Sequence, residues 1–336
     1  MLKFIYYDWG ETMKRNKLVV VGVGHVGSYV LADAMKLGLF AEIAVIDIDK
    51  EVAYGEALDQ EHATALTYMS NTTVYAGDYS ECANADVIIC AAGPSMVKSD
   101  EDAMPDRAQL AVVNSEVIRE VMTGITKYTK DAIIILITNP LDTMVYIAEN
   151  EFGYSKGRIF GTGTMLDSAR LRKIIAANYD IDPKSVTAYM MGEHGHTAFP
   201  VLSRLSVQGF SEKELDQVFQ GKELLSREGI KKQVVKAAFD VLNGKGWTNA
   251  GVAQAAVTLA KAIMLDERSV YPVSTTLHGQ YGYDGDVALS MPCVIGRNGI
   301  EKQLEIALDS QELEWLHQSA EYIKEAMKVA KCSFKH

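Results

Sequence analysis

Residues 17–23 read Lys-Leu-Val-Val-Val-Gly-Val, a β-branched run that is short and does not alternate with polar positions, so it predicts a strand buried on both faces. Glycines follow at once, and behind them a helical pattern begins. Comparable apolar runs at 42–46, 73–76, 87–91 and 133–137 are spaced by stretches such as the amphipathic 50–68. Short buried strands alternating with helical segments predict a parallel sheet with crossover helices over the first half of the chain. The second half has a different texture. It predicts helices over 166–179, 212–242 and 248–265, a Gly/His-rich turn at 192–196, and strands over 204–208, 270–274 and 290–295. A terminal helix opens at Asp309 with Glu312 three residues on, a capping pattern, and Leu313, Leu316, Ala320, Ile323 and Met327 give it one apolar stripe.

Composition narrows the class of protein. The 336 residues are 48% hydrophobic and 23% charged, an ordinary globular balance with length for two domains. A formal net charge of −11 without basic tracts argues against nucleic acid as a partner, because phosphate neutralisation needs clustered cations. No apolar run approaches the roughly 18–20 residues a membrane span requires. The four cysteines, Cys82, Cys90, Cys293 and Cys332, form no Cys-x-x-Cys pair, so reduced thiols and no metal site are expected. With no basic flank and apolar core of a leader peptide at the start, a cytoplasmic location is expected. Residues 1–16 form an N-terminal extension, within which Met13 is a second candidate start.

The turn after the first strand is Gly22-Val23-Gly24-His25-Val26-Gly27, a Gly-x-Gly-x-x-Gly motif between strand and helix. The first glycine permits the tight turn, the second lets a pyrophosphate approach the backbone, and the third lets helix and strand pack closely. Asp47 ends the second strand. A carboxylate there accepts hydrogen bonds from an adenosine ribose and repels a 2′-phosphate, so NAD is expected in preference to NADP. These observations predict an α/β chain: a Rossmann-type doubly wound domain over 17–160, then a mixed α/β substrate domain over 161–331.

Two further stretches carry chemistry. Gly192-Glu193-His194-Gly195-His196 sets a histidine between glycines, and Leu166-Asp167-Ser168-Ala169-Arg170 places an acid and an arginine three apart on one helix face. In this order and spacing, with Thr138-Asn139-Pro140-Leu141-Asp142 and Asn243-Gly244-Lys245-Gly246-Trp247-Thr248, the chain resembles the L-lactate/L-malate dehydrogenase family, specifically its L-2-hydroxy-acid branch of lactate and 2-hydroxyisocaproate enzymes. The resemblance implies NAD-dependent, reversible reduction of a 2-oxo acid, with His194 as general acid and base, Asp167 orienting the imidazole, and Arg170 gripping the substrate carboxylate. It implies that Arg107 belongs to a mobile loop that polarises the carbonyl, that Asn139 bonds near substrate and nicotinamide, and that Thr248 lines the pocket. It implies cofactor contacts at Gly22, Gly24, Val26, Gly27 and Asp47, with Tyr79, Gly93, Thr138 and Asn139 at looser positions, and a homotetramer or dimer.

Departures from the family pattern bear on specificity. Malate enzymes carry a lid arginine for the second carboxylate; here the corresponding stretch holds Asp100, Glu101, Asp102 and Asp106, which disfavours a dicarboxylate. The lid is also longer than in ordinary lactate enzymes, which leaves room for a bulkier 2-oxo acid such as 2-oxoisocaproate. Of the two residues that bind fructose 1,6-bisphosphate in activated bacterial enzymes, Arg172 is matched and the histidine is replaced by Thr187, so no strong activation is expected. The competing readings are a malate dehydrogenase and a non-catalytic NAD-binding homologue. A short-chain dehydrogenase would need a Tyr-x-x-x-Lys element, which the sequence lacks.

Overall fold

The computed structural model describes residues 16–94, 107–221 and 226–332. Its first half places six strands in one parallel sheet: β1 (Lys17–Val21), β2 (Glu42–Ile46), β3 (Thr73–Ala76), β4 (Val87–Cys90), β5 (Ile133–Leu136) and β6 (Ile159–Gly161). Every residue of β1, β4 and β5 is buried, as expected of strands covered on both faces by helices. The covering helices are α1 (Gly27–Leu37), α2 (Lys50–Ala63), α3 (Arg107–Thr126) and α4 (Leu141–Glu151). α1 docks through Val30, Leu31, Ala34 and Met35, the three-and-four spacing that keeps one face inward.

The second half supplies helix α5 (Met165–Tyr179), short strands β7 (Val186–Thr187), β8 (Met190–Met191), β9 (Phe199–Pro200), β10 (Ser206–Val207) and β11 (Phe210–Ser211), helices α6 (Glu212–Phe219), α7 (Arg227–Lys245) and α8 (Ala250–Met264), strands β12 (Ser269–His278), β13 (Asp284–Gly296) and β14 (Gly299–Gln303), and α9 (Ser310–Val329). The large sheet runs β14-β13-β12-β6-β5-β4-β1-β2-β3, so β12 pairs antiparallel with β6 and carries the sheet into the second half. Strand order reverses between β1 and β4, and the crevice beyond their carboxyl ends is where an open α/β sheet binds ligands. A second core, with Leu171, Ile175, Met190, Leu202, Leu215, Ile230 and Val234, packs α5, α6 and α7 against the short strands.

Four expectations need correction. The helix expected over 212–242 is two helices, because Gln220 takes a left-handed conformation after α6 and Ser226 caps a fresh start at α7. The strand expected over 204–208 is only β10, preceded by a 3-10 turn at Leu202–Arg204. The strands expected at 270–274 and 290–295 are parts of the longer β12 and β13, which also take in the buried residues 275–277 and 287–289. In α9, Asp309 and Glu312 form both bonds of the capping box, but Leu313 is 37% exposed and Trp315, at 6%, takes its place inside.

Candidate active site

The glycine turn divides its three glycines by task. Gly22 has φ +85°, and a Cβ there would lie 2.6 Å from the Ala92 Cα after β4. A Cβ on Gly27 would lie 1.8 Å from the Gly22 carbonyl oxygen, so both positions are closed by the protein itself. Gly24 is exposed, and a Cβ there would meet nothing within 4 Å. Beside it α1 starts at the N-cap Val26 without a side-chain cap or an acid in its first turn, leaving its positive end available to an anion. Asp47 is fixed alongside: its Oδ2 accepts from the Val23 amide at 2.8 Å and its Oδ1 from the Asp49 amide at 3.0 Å. An open backbone at Gly24, an uncapped helix start and an anchored carboxylate fit a dinucleotide with an unmodified ribose.

Across the crevice, Thr138 Oγ1 donates to the Ala92 carbonyl at 2.6 Å. Gly93 has φ +113°, and a Cβ there would lie 2.5 Å from Asn114 Oδ1. Asn114, fully buried on α3, donates through Nδ2 to the Asn139 carbonyl at 2.6 Å and the Pro94 carbonyl at 3.0 Å. Gly93, Thr138 and Asn139 thus meet around a buried asparagine that sequence reasoning missed; its one signal was a polar residue on the apolar side of a helix. Tyr79 lies in a 3-10 turn with its ring against Gly124, where a Cβ would lie 2.5 Å from the ring, which gives it a packing role.

The start of α5 is stitched to β8. Thr164 Oγ1 donates to the Met190 carbonyl at 2.7 Å, Ser168 Oγ accepts from the Met190 amide at 2.9 Å, and the same hydroxyl donates to the Thr164 carbonyl at 2.7 Å. β8 leads directly into Gly192 and the turn bearing His194. That stitching brings the histidine onto the face of α5 holding Asp167 and Arg170. His194 Nδ1 lies 2.7 Å from Asp167 Oδ2, and Arg170 Nη1 donates to Asp167 Oδ1 at 2.8 Å. On its main-chain side, the His194 amide donates to Asp142 Oδ2 at 2.8 Å, and Asp142 Oδ1 accepts from Ser274 Oγ at 2.6 Å.

These carboxylates differ in charge. Burial pushes Asp167 up, but the charges and hydrogen bonds of His194 and Arg170 more than reverse that and hold it below its ordinary value. Burial pulls His194 down, and the charge and hydrogen bond of Asp167 raise it above its ordinary value, with Asp142 adding to the rise and Arg170 opposing it. Asp142 accepts hydrogen bonds from neutral donors alone: burial, only partly offset by the Ser274 and His194 hydrogen bonds and by the His194 charge, pushes it up to about 7. With Nδ1 engaged by Asp167, Nε2 is the nitrogen through which His194 can exchange a proton with a ligand.

Thr248, half-buried between α7 and α8, sits in a loop joined to the glycine turn: the Trp247 ring stacks on His25 with centroids 3.9 Å apart and planes 4° from parallel. Asn249 accepts from Lys245 Nζ at 2.6 Å and caps α8 through the Ala250 amide at 2.9 Å. A pocket of about 460 Å³ opens beside Arg170, walled by Leu166, Ala169 and Lys173 of α5 and by Gln233 and Ala237 of α7. Arg107 begins α3, and its side chain lies outside the described residues, as do the lid acids Asp100, Glu101, Asp102 and Asp106. Among the described residues, no helix is long and apolar enough to cross a membrane.

Comparison with known proteins points to one family. The lactate/malate dehydrogenase NAD binding domain matches residues 16–161, and the lactate/malate dehydrogenase alpha/beta C-terminal domain matches residues 164–333. The chain is 46% identical to L-lactate dehydrogenase 2 of Clostridium acetobutylicum over 314 residues, covering 94% of this chain and 97% of that protein. It is 41% identical to the L-lactate dehydrogenase of Selenomonas ruminantium, covering 93% and 97% respectively. Among solved structures it superimposes with a TM-score of 0.87 on a lactate dehydrogenase from a Medee basin deep-sea metagenome library, at 30% identity, covering 95% of this chain and all of that one. The minor L-lactate dehydrogenase of Enterococcus mundtii, in a ligands-bound form, gives the same TM-score at 29% identity, covering 96% and 100%.

Proposed function

Since the chain belongs to the lactate/malate dehydrogenase family, we propose that the His194, Asp167 and Arg170 constellation reduces pyruvate to L-lactate and runs the reaction in reverse. The protein is an NAD-dependent oxidoreductase acting on a CH–OH group, of the lactate branch. The observation that carries the site assignment is Asp167, one carboxylate joined at once to the histidine ring and to the arginine.

Gly22, Gly24, Val26, Gly27 and Asp47 would hold the dinucleotide along the crevice, with Gly93, Thr138 and Asn139 on the opposite wall. Bound there, NADH supplies the hydride that adds to C2 of the oxo acid. Arg170 binds the substrate carboxylate, a planar guanidinium being matched to two parallel hydrogen bonds. His194 delivers its Nε2 proton to the carbonyl oxygen as the alcohol forms and takes it back in oxidation. Asp167 keeps the imidazole in the tautomer with a proton on Nδ1 and stabilises the imidazolium. Asn139 and Thr248 border the substrate, and Arg107 polarises its carbonyl from the loop side.

The malate reading is not favoured, because the relatives named above are lactate dehydrogenases. The alanines beside Arg170, Ala169 and Ala237, leave space for a larger side chain, which makes 2-oxoisocaproate the second substrate to try. NADH oxidation with pyruvate, 2-oxoisocaproate and oxaloacetate, beside His194→Asn, tests the assignment. The variant should lose roughly a hundredfold or more of turnover; near-wild-type turnover would remove His194 from the reaction. The reading carries a cytoplasmic homo-oligomer, dimer or tetramer, which rests on the family resemblance, and sedimentation measures its size.

A further inference from the structure

A fully buried carboxylate is costly wherever no cation answers it, since desolvation disfavours the charged form. Asp142 is such a group. It is 2% exposed, and its two hydrogen-bond partners, the His194 amide and the Ser274 hydroxyl, are both neutral donors. An asparagine would tie the same two segments at lower cost, because the serine hydroxyl can turn to accept from its amide. What only a carboxylate adds at this place is negative charge beside the histidine.

We propose that Asp142 is a positioning residue for His194, fixing its main chain as Asp167 fixes its ring, and that its charge sets the pH at which His194 holds its proton. The placement serves both parts. Asp142 is the second residue of α4, behind Asn139, so one carboxylate joins the helix start that presents Asn139, the turn that presents His194, and β12 through Ser274. The titratable groups facing it are His194 and Glu193 on that turn; β12 offers only the uncharged Ser274, and α5 contributes Asp167 and Arg170 to the same histidine. Asp142 titrates at about 7, within the range of an imidazole, so the two groups gain and lose protons as a coupled pair. An ionised Asp142 favours the imidazolium that reduction of an oxo acid requires.

The inference rests on the assignment of His194 above, and the test separates the two. Histidine ring resonances of the protein without cofactor are followed by NMR from about pH 5 to about pH 9, with His194 identified by its loss in His194→Asn. In Asp142→Asn the His194 midpoint should fall by about half a unit or more, and the alkaline limb of kcat/KM for NADH-dependent reduction should fall with it. Ser274→Ala should move the midpoint in the same direction, because losing a donor keeps Asp142 neutral to higher pH. An unchanged midpoint in folded Asp142→Asn overturns the proposal, even if activity drops, since a purely structural role would leave the titration alone. If Asp142→Asn does not fold, an unchanged midpoint in Ser274→Ala overturns it instead. Wild-type protein inactive on every 2-oxo acid, with the midpoint shift present, would sink the proposed function and leave this inference standing.

Discussion

Asp167→Asn is the sharpest probe of the site, because the side chain keeps its shape and loses its charge. One oxygen of Asp167 accepts from Arg170 at 2.8 Å and the other faces His194 Nδ1 at 2.7 Å. Arg170 only donates, so an asparagine must give it the amide oxygen and turn its NH2 toward the histidine. Nδ1 must then accept, and forming the imidazolium, where both ring nitrogens carry protons, breaks that bond. A hydrogen bond between charged groups contributes about 1.5–3 kcal/mol, so its loss should lower the proton affinity of His194 by about one to two pKa units.

The assay is kcat/KM for NADH-dependent pyruvate reduction across pH. Reduction needs protonated His194, so activity falls as pH rises past the histidine's value. In Asp167→Asn that limb should move to lower pH by about one to two units, leaving the rate at pH values above the wild-type midpoint roughly 10- to 100-fold below wild type and largely restored once pH falls below the shifted midpoint. NADH affinity should hold, since the cofactor turn is untouched. A uniform loss at every pH would refute the reasoning, because it would mean that Asp167 does not act through the histidine's proton.

Three further outcomes follow from the same geometry. Gly24→Ala should leave the melting temperature near wild type and weaken NADH binding by fluorescence titration, whereas Gly27→Ala, whose Cβ would lie 1.8 Å from the Gly22 carbonyl, should cost several kcal/mol in denaturant unfolding. Asp142 binds its proton more tightly folded than unfolded, so native stability is full below its ordinary value of 3.8 and declines as pH rises to about 7; Asp142→Asn should be up to about 4 kcal/mol more stable than wild type at pH 8 and equal to it near pH 3. Fructose 1,6-bisphosphate should leave the half-saturating pyruvate concentration unchanged, because Thr187, exposed on β7, offers no cation to complete an anion site with Arg172.

What the sequence made legible was local. The glycine turn, Asp47 at the end of β2, and Asp167 with Arg170 on one helix face are set by neighbours a few residues away, and backbone geometry alone implies their placement. Asn114 and Ser274 were not legible, because each acquires its role from partners far along the chain: Asn114 from the Asn139 carbonyl, Ser274 from Asp142. The break between α6 and α7 was hidden for another reason. Residues 212–242 keep a helical pattern on both sides of Gln220, and a left-handed residue leaves no mark in hydrophobic periodicity. The expected bounds of β12 and β13 stop short of residues 275–277 and 287–289, which join the sheet by pairing with each other, Thr275 with Leu289 and Thr276 with Ala288.

Asp47, Asp142 and Asp167 show why composition says little about such a site. All three are aspartates beside a turn, and each is fixed by hydrogen bonds within the protein. Asp47 receives two backbone amides and stands at the crevice, where its fixed oxygens suit recognition of a sugar. Asp167 is buried but shared by a histidine and an arginine, so it stays ionised and can support a proton on its neighbour. Asp142 is equally buried and has neutral donors only, so its proton affinity rises into the histidine's own range. Desolvation acts on both buried carboxylates in the same direction, and direct hydrogen bonding to cationic groups, present at Asp167 and absent at Asp142, decides the outcome. A chain with excess acid can therefore hold one carboxylate that stabilises a transferable proton on the ring and another that gains and loses its own proton beside the same histidine.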